Sequence, residues 1–213
     1  MSATDDLFRA ASTKGTSAKE IMYLIRQGAN VKARTPEGIT VLMGAAACLN
    51  CECVQLLIDA GAEINARTTA GFTALMMAAR YNNDVDVTHA LIYAGADVNI
   101  TNKDGLTALM YAANRNPNPN VIIYLVRAGA AINHRDNEYE KTALMMAAWS
   151  NPNPEIVRLL IELGADVHAK NAEGTTALGY ADYDDTTPQR NSEVKSIIWE
   201  AIFTEAIQRK LKQ

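Results

Sequence analysis

The chain is poor in aromatic residues, at 6%, and has only 3 cysteines and 6 prolines in 213 residues. Cys48, Cys51 and Cys53 are odd in number and clustered, which rules out a disulfide framework. Structural zinc takes four ligands, usually as two separated pairs, and no second pair accompanies these thiols. His89, His134 and His168 lie far from them and share no spacing, so no metal and no cofactor is expected. A long apolar run is also missing, since no window approaches the roughly 18 residues of a membrane span. The opening stretch MSATDDLFRAASTKG carries acids where a secretory signal has bases, so the expected location is the cytoplasm, with no membrane partner. Positive charge is not in excess either. The formal net charge is -4, whereas phosphate-neutralising proteins carry a strongly basic footprint, so nucleic acid is not an expected partner. G-x-S-x-G, P-loop and H-E-x-x-H motifs are absent, and Asp182, Asp184 and Asp185 lack calcium-loop spacing. No catalytic residue is assigned, and the chain is not expected to be an enzyme.

What is present is a period. Hydrophobic residues make up 48% and charged residues 21%, in the range of folded globular protein. A Gly-Ala pair recurs at Gly28, Gly61, Gly95, Gly129 and Gly164, at intervals of 33, 34, 34 and 35 residues. In phase with it run Thr73-Ala74-Leu75, Thr107-Ala108-Leu109, Thr142-Ala143-Leu144 and Thr176-Ala177-Leu178, with Thr40-Val41-Leu42 as a weaker first copy. Two markers sharing one period predict a stack of similar units.

Each unit has a physical reading. Gly71, Gly105 and Gly174 stand two residues before the threonine and suit a turn with positive φ. The threonine is a helix N-cap. Ala-Leu-Met-Met-Ala-Ala, as in 74–79 and 143–148, forms a short helix whose small alanines permit close packing. Asn-Pro-Asn-Pro at 116–119 and 151–154 stops that helix and starts a second, with Asn as N-cap and Pro in the first turn. The second helix carries Ile156, Val157, Leu159, Leu160 and Ile161, and Gly164 ends it. Cys53 falls at a core position of such a helix and reads as a small buried hydrophobe.

A stack of units needs covered ends. Residues 1–34 form a degenerate first unit retaining Leu7, Ala10, Ala11, Ile21, Leu24 and Ile25. Internal units span 35–67, 68–101, 102–135 and 136–170. Residues 171–213 close the array with a long helix over 191–211 bearing Ile197, Ile198, Trp199, Ile202, Phe203, Ile207 and Leu211. That helix is read as a cap, the alternative being a partner-binding helix.

The run G-x-T-A-L-M-x-A-A…L-L/I-x-x-G-A-D-V-N, fullest over 71–99 and 105–133, resembles the ankyrin-repeat family across essentially the whole chain. The resemblance implies an all-α solenoid of helix-turn-helix units with projecting hairpin turns, and a non-catalytic scaffold that binds protein on a concave face. Two departures stand out. Ala replaces the family's Pro after Thr, and Met76, Met110, Met145 and Gly179 stand where His is usual. The longer inter-helix loops resemble bacterial versions of the family.

The family's contact positions fall just after the turn glycine and at the exposed end of the first helix. On this sequence they give Phe72, Leu106 and Lys141, then Arg80, Tyr81, Asn114, Arg115, Trp149, Ser150 and Tyr183. Trp, Tyr and Arg dominate binding hot spots, so Phe72, Tyr81 and Trp149 are expected as exposed anchors; the alternative is that the rings pack on the neighbouring unit. A second column, Arg34, Arg67, Thr101, Arg135 and Lys170, is basic at four of five positions. It predicts a partner with an acidic surface, unless Glu37, Asp104, Glu138 and Glu173 simply pair with it. The expected function is a module, monomeric when free, that sequesters or inhibits a protein partner. By analogy a bacterial immunity, antitoxin or effector-type inhibitor fits. The alternative is an adaptor bridging two partners through the concave face and the C-terminal helix.

Overall fold

The computed structural model describes residues 2–182 and 188–211. Among these the chain forms twelve helices in six successive pairs: α1 (Ala3–Ala11) with α2 (Ala18–Arg26), α3 (Val41–Cys48) with α4 (Cys51–Asp59), α5 (Ala74–Tyr81) with α6 (Val85–Tyr93), α7 (Ala108–Arg115) with α8 (Pro119–Arg127), α9 (Ala143–Ser150) with α10 (Glu155–Glu162), and α11 (Ala177–Tyr180) with α12 (Pro188–Leu211). Odd helices stack on odd and even on even. No strand occurs among the described residues beyond one isolated bridge, Arg34 to Thr40. The fold is an all-α solenoid with hairpin turns.

The threonines start the odd helices for the expected reason. Thr40, Thr73, Thr107, Thr142 and Thr176 each accept, through the side-chain hydroxyl, the backbone N–H three residues on. Ala78, Ala79, Ala112, Ala113, Ala147 and Ala148 are fully buried, so the odd helices meet backbone to backbone. Gly164 ends α10 with φ 100, its N–H donating to Ile161 and the Ala165 N–H reaching back to Leu160. This is the left-handed stop expected of that glycine.

Stacking is sealed by asparagine. In the loops after α5, α7 and α9, Asn82 donates to the carbonyls of Ala46 and Leu49, Asn116 to Ala79 and Asn82, and Asn151 to Ala113 and Asn116, at 2.8–3.0 Å. All three are buried. A second row joins the turns after the even helices: Asn65 donates to the Gly95 carbonyl, Asn99 to Gly129 and Asn133 to Gly164.

The last unit has no successor, and α12 stands in for one. Arg190 donates to the carbonyls of Ala147, Ala148 and Asn151, the kind of groups an asparagine takes elsewhere. His168, at the position of the turn asparagines, lies 3.1 Å from Glu205. Only the inner face of α12 is buried, through Asn191, Val194, Ile197 and Ile198. Trp199, Phe203, Ile207 and Leu211 are exposed on its outer face.

Candidate functional site: the groove between turns and odd helices

The hairpin turns hang in series beside the odd helices. Each closes on a backbone bond, as from Asn102 N–H to the Leu106 carbonyl, and each hooks the next: Lys103 N–H to Ala70, Asn137 N–H to Asp104 and Ala172 N–H to Tyr139, all 2.9–3.0 Å. Gly105 has φ 79, and a Cβ there would come within 2.6 Å of Asn137 N, so turn and neighbour both require glycine.

The next turn is one residue longer, closing from Asp136 N–H to the Lys141 carbonyl. Asp136 Oδ1 accepts the N–H groups of Tyr139 and Lys141, as Asn102 Oδ1 accepts those of Asp104 and Leu106. Tyr139 therefore matches Asp104, and Glu140 matches Gly105. Glu140 has φ 56 and is the one non-glycine with positive φ among the described residues. Its carboxylate pairs with Arg135 at 2.9 Å.

Between these turns and helices α5, α7 and α9 lies a groove of about 270 Å³, whose lining includes Arg80, Asp104, Tyr111, Tyr139, Lys141, Met146 and Trp149. A contiguous cleft of about 340 Å³ is lined by Tyr139, Lys141, Trp149, Glu173 and Tyr180. Tyr111 and Tyr180 are held alike, each hydroxyl accepting from an asparagine at the base of a turn, Asn102 or Asn171. Burial pushes the Tyr111 phenol above its ordinary pKa. A hydrogen bond to Glu138, with that carboxylate's charge, does the same for Tyr139.

Of the expected contact residues, Arg80, Leu106, Asn114, Lys141 and Trp149 line this groove, while Phe72, Tyr81, Arg115 and Ser150 lie beside it. Tyr81 is 57% exposed and Trp149 42%. Phe72 is half-buried with its ring 5.5 Å from Tyr111, so the expectation of a free anchor is corrected there: Tyr111 on the next helix covers it. Arg80 is half-buried too, its guanidinium 5.0 Å from the Tyr81 ring and 5.2 Å from Tyr111. Asn114 donates to Ser150 at 2.8 Å, and exposed Arg115 donates to Asn114. Leu106, Lys141 and Ser150 are half-buried. Tyr183 lies outside the described residues.

Sequence reasoning missed Tyr111, Tyr139 and Tyr180. Tyr111 and Tyr180 stand four residues after the Thr cap, where Met77 and Met146 occupy other units, so a third column was there to be read. Tyr139 was concealed by the extra residue, which shifts residues 136–142 against the 102–107 pattern.

The three arginines of the basic column are engaged within the molecule, while Lys170 is exposed. Arg34 pairs with Glu63. Arg67 donates to the Thr101 carbonyl at 2.6 Å, and Arg135 to the Lys170 carbonyl at 2.8 Å. The carboxylates that pair with it are Glu63 and Glu140, not the expected Glu37, Asp104, Glu138 and Glu173.

Cys53 is buried, and Cys48 and Cys51 are half-buried. Cys48 donates to the Ala11 and Gly44 carbonyls and Cys51 to Asp86. Burial raises all three thiol pKa values. Among the described residues no group of three His, Cys, Asp or Glu could hold a metal ion, and no helix is long and apolar enough to cross a membrane.

A family model described as ankyrin repeats (3 copies) matches residues 7–102 and 75–171. A search of curated proteins finds no match to the chain.

Proposed function

This chain belongs to the ankyrin-repeat family, whose members are generally non-catalytic protein–protein interaction modules, and from that premise we propose that it binds, and thereby sequesters or inhibits, a protein partner through the groove between its turns and odd helices. The observation that carries this reading is the concentration of rings in and beside that groove. A chain with 6% aromatic residues sets Phe72, Tyr81, Tyr111, Tyr139, Trp149 and Tyr180 along one face. Apart from buried Tyr111 these rings are at least partly exposed, and rings held in place lose little entropy on binding and bury much area.

The anchors are Tyr81, Arg115 and Trp149, with Leu106, Asn114, Lys141 and Ser150 beside them. Phe72 and Arg80 support Tyr111 and Tyr81 from behind. We assign the chain no catalytic step, because the groove's polar groups serve its own turns and rings. Free thiols at Cys48, Cys51 and Cys53 suit the reducing cytoplasm, where we place its action. An acidic partner surface draws less support than the sequence alone gave it, since Arg34, Arg67 and Arg135 already bridge neighbouring units.

The test begins with affinity capture of the partner from the native cell and its identification by mass spectrometry. Trp149→Ala and Tyr81→Ala should then each weaken binding by about 2 kcal/mol, roughly thirtyfold in Kd. Melting temperature should move little. Unchanged affinity in both variants would refute the assignment of this face.

The adaptor reading has one observation in its favour. Trp199, Phe203, Ile207 and Leu211 form an exposed i, i+4 stripe on α12, away from the groove. A ternary complex that loses one component on Trp199→Ala plus Phe203→Ala, while keeping the other, would select it; a one-to-one complex would select sequestration by a monomer.

A further inference from the structure

The cleft beside Trp149 already holds a cation. Lys141 Nζ lies 4.4 Å from the centre of the Tyr139 ring and 5.2 Å from that of Trp149, within the range of cation–π attraction. Tyr180 extends the aromatic wall, its ring 6.2 Å from Trp149. Glu173 completes the lining. The seat is thus chemically matched to an ammonium, and the chain's own lysine demonstrates the fit.

Three observations mark Lys141 as an occupant that can leave. Its ammonium makes no ion pair among the described residues, so the rings alone hold it. It is half-buried on a turn at the mouth of the cleft. The turn that brings Tyr139 and Lys141 here is the one with the extra residue and with Glu140 in a left-handed conformation, a strain that structures tolerate where it positions a functional group. The surrounding charge favours a second cation. The groove and cleft together are lined by Asp104, Asp136, Glu138 and Glu173 against Arg80 and Lys141, four carboxylates to two cations.

We infer that the Tyr139–Trp149–Tyr180 seat receives a lysine side chain from a basic segment of the protein partner, which displaces Lys141. This rests on the groove being the binding face and names the chemistry it reads. Displacement costs little, because Lys141 passes into water while an equivalent contact replaces it, and the released charge stays near the carboxylates.

The experiment uses the full chain carrying Trp199→Phe, so that Trp149 is the one tryptophan of the original 2 and reports on the seat. The probes are acetylated hexalysine and hexaglutamate peptides in about 0.15 M salt, where surface attraction is screened beyond ~8 Å. Hexalysine should change Trp149 fluorescence saturably and hexaglutamate should not. Lys141→Ala removes the internal competitor and should tighten hexalysine about fivefold. Lys103→Ala, which removes an equal charge outside the cleft, should tighten it less than twofold. Tyr139→Leu, which keeps an apolar side chain without the ring's quadrupole, should weaken it about tenfold. Absence of a Trp149 response with both Lys and Ala at 141 would overturn the inference, as would weaker binding on Lys141→Ala. If the seat fails while Trp149→Ala and Tyr81→Ala still weaken the captured partner, the groove stands and only its lysine specificity falls. If those variants also bind unchanged, the groove itself is wrong.

Discussion

Two rows of side chains run along this solenoid, one closed across three units and one open. In the closed row Asn82, Asn116 and Asn151 are buried and do the same work, each amide tying the preceding unit's carbonyls to its own. In the open row, just after the turn, stand Ile39, Phe72, Leu106, Lys141 and Thr175, five different residues. Buried carbonyls impose the same demands at these three units, so the closed row repeats there. The groove faces whatever binds it, so the open row is free to vary. Repetition along the chain reports stacking, and departure from repetition reports recognition.

The sharpest way to break this comparison is to remove a closed-row amide. Asn116→Ala leaves the Ala79 and Asn82 carbonyls and the Asn118 N–H without their partner in a dry loop. It should lower stability by about 3 kcal/mol, read by urea or thermal denaturation. A loss below about 1 kcal/mol would mean that water reaches these carbonyls and the row is not closed. By contrast, the groove substitution Trp149→Ala should move affinity and leave denaturation nearly unchanged.

Glu140→Gly sharpens the same contrast on the turn. A glycine relieves the left-handed backbone at φ 56 but removes the exposed pair with Arg135. The net effect expected is a gain of about 1 kcal/mol in stability. If Glu140 instead proves stabilising, the ion pair outweighs the strain and the turn was not shaped against its own stability.

The smallest effect concerns the thiols. Burial raises the folded pKa of Cys53 above its ordinary 9.0, so the fold disfavours the reactive thiolate. Iodoacetamide at pH 7.5 should leave Cys53 intact in the folded chain and label it in urea. Because the folded value is the higher one, the associated stability is complete below pH ~9 and declines as pH rises through the folded pKa. Rapid labelling of the folded chain at neutral pH would show that the cysteine segment opens locally.

Much of this was legible in the chain itself. The period, the Thr caps, the Asn118-Pro119 start and the Gly164 stop are local chemistry, and each acts where expected; at Asn153-Pro154 the helix begins one residue later, with Pro154 in the cap position. The candidate groove was only half legible. Tyr81, Arg115 and Trp149 could be placed by counting, since they end a helix of fixed length. Phe72 could not be told apart from them, because its burial depends on Tyr111, which is 39 positions further along the chain. Lys141 could be placed by counting from the Thr cap, but Tyr139 escaped because one inserted residue changes which positions of a turn face the groove.

The sequence by itself determined the unit, its two helices, their caps and the need to cover the ends. Those follow from interactions within about thirty-odd residues, the reach of one repeat. Only the tertiary structure decided how the units' unlike residues meet. It put Lys141 over two rings, turned the basic column's arginines inward on neighbouring carbonyls, and left one stripe of α12 exposed. The reason is physical: a cap or a stop is satisfied by its own backbone, whereas ring stacking, cation–π contact and burial are set by distances between units that no single unit encodes.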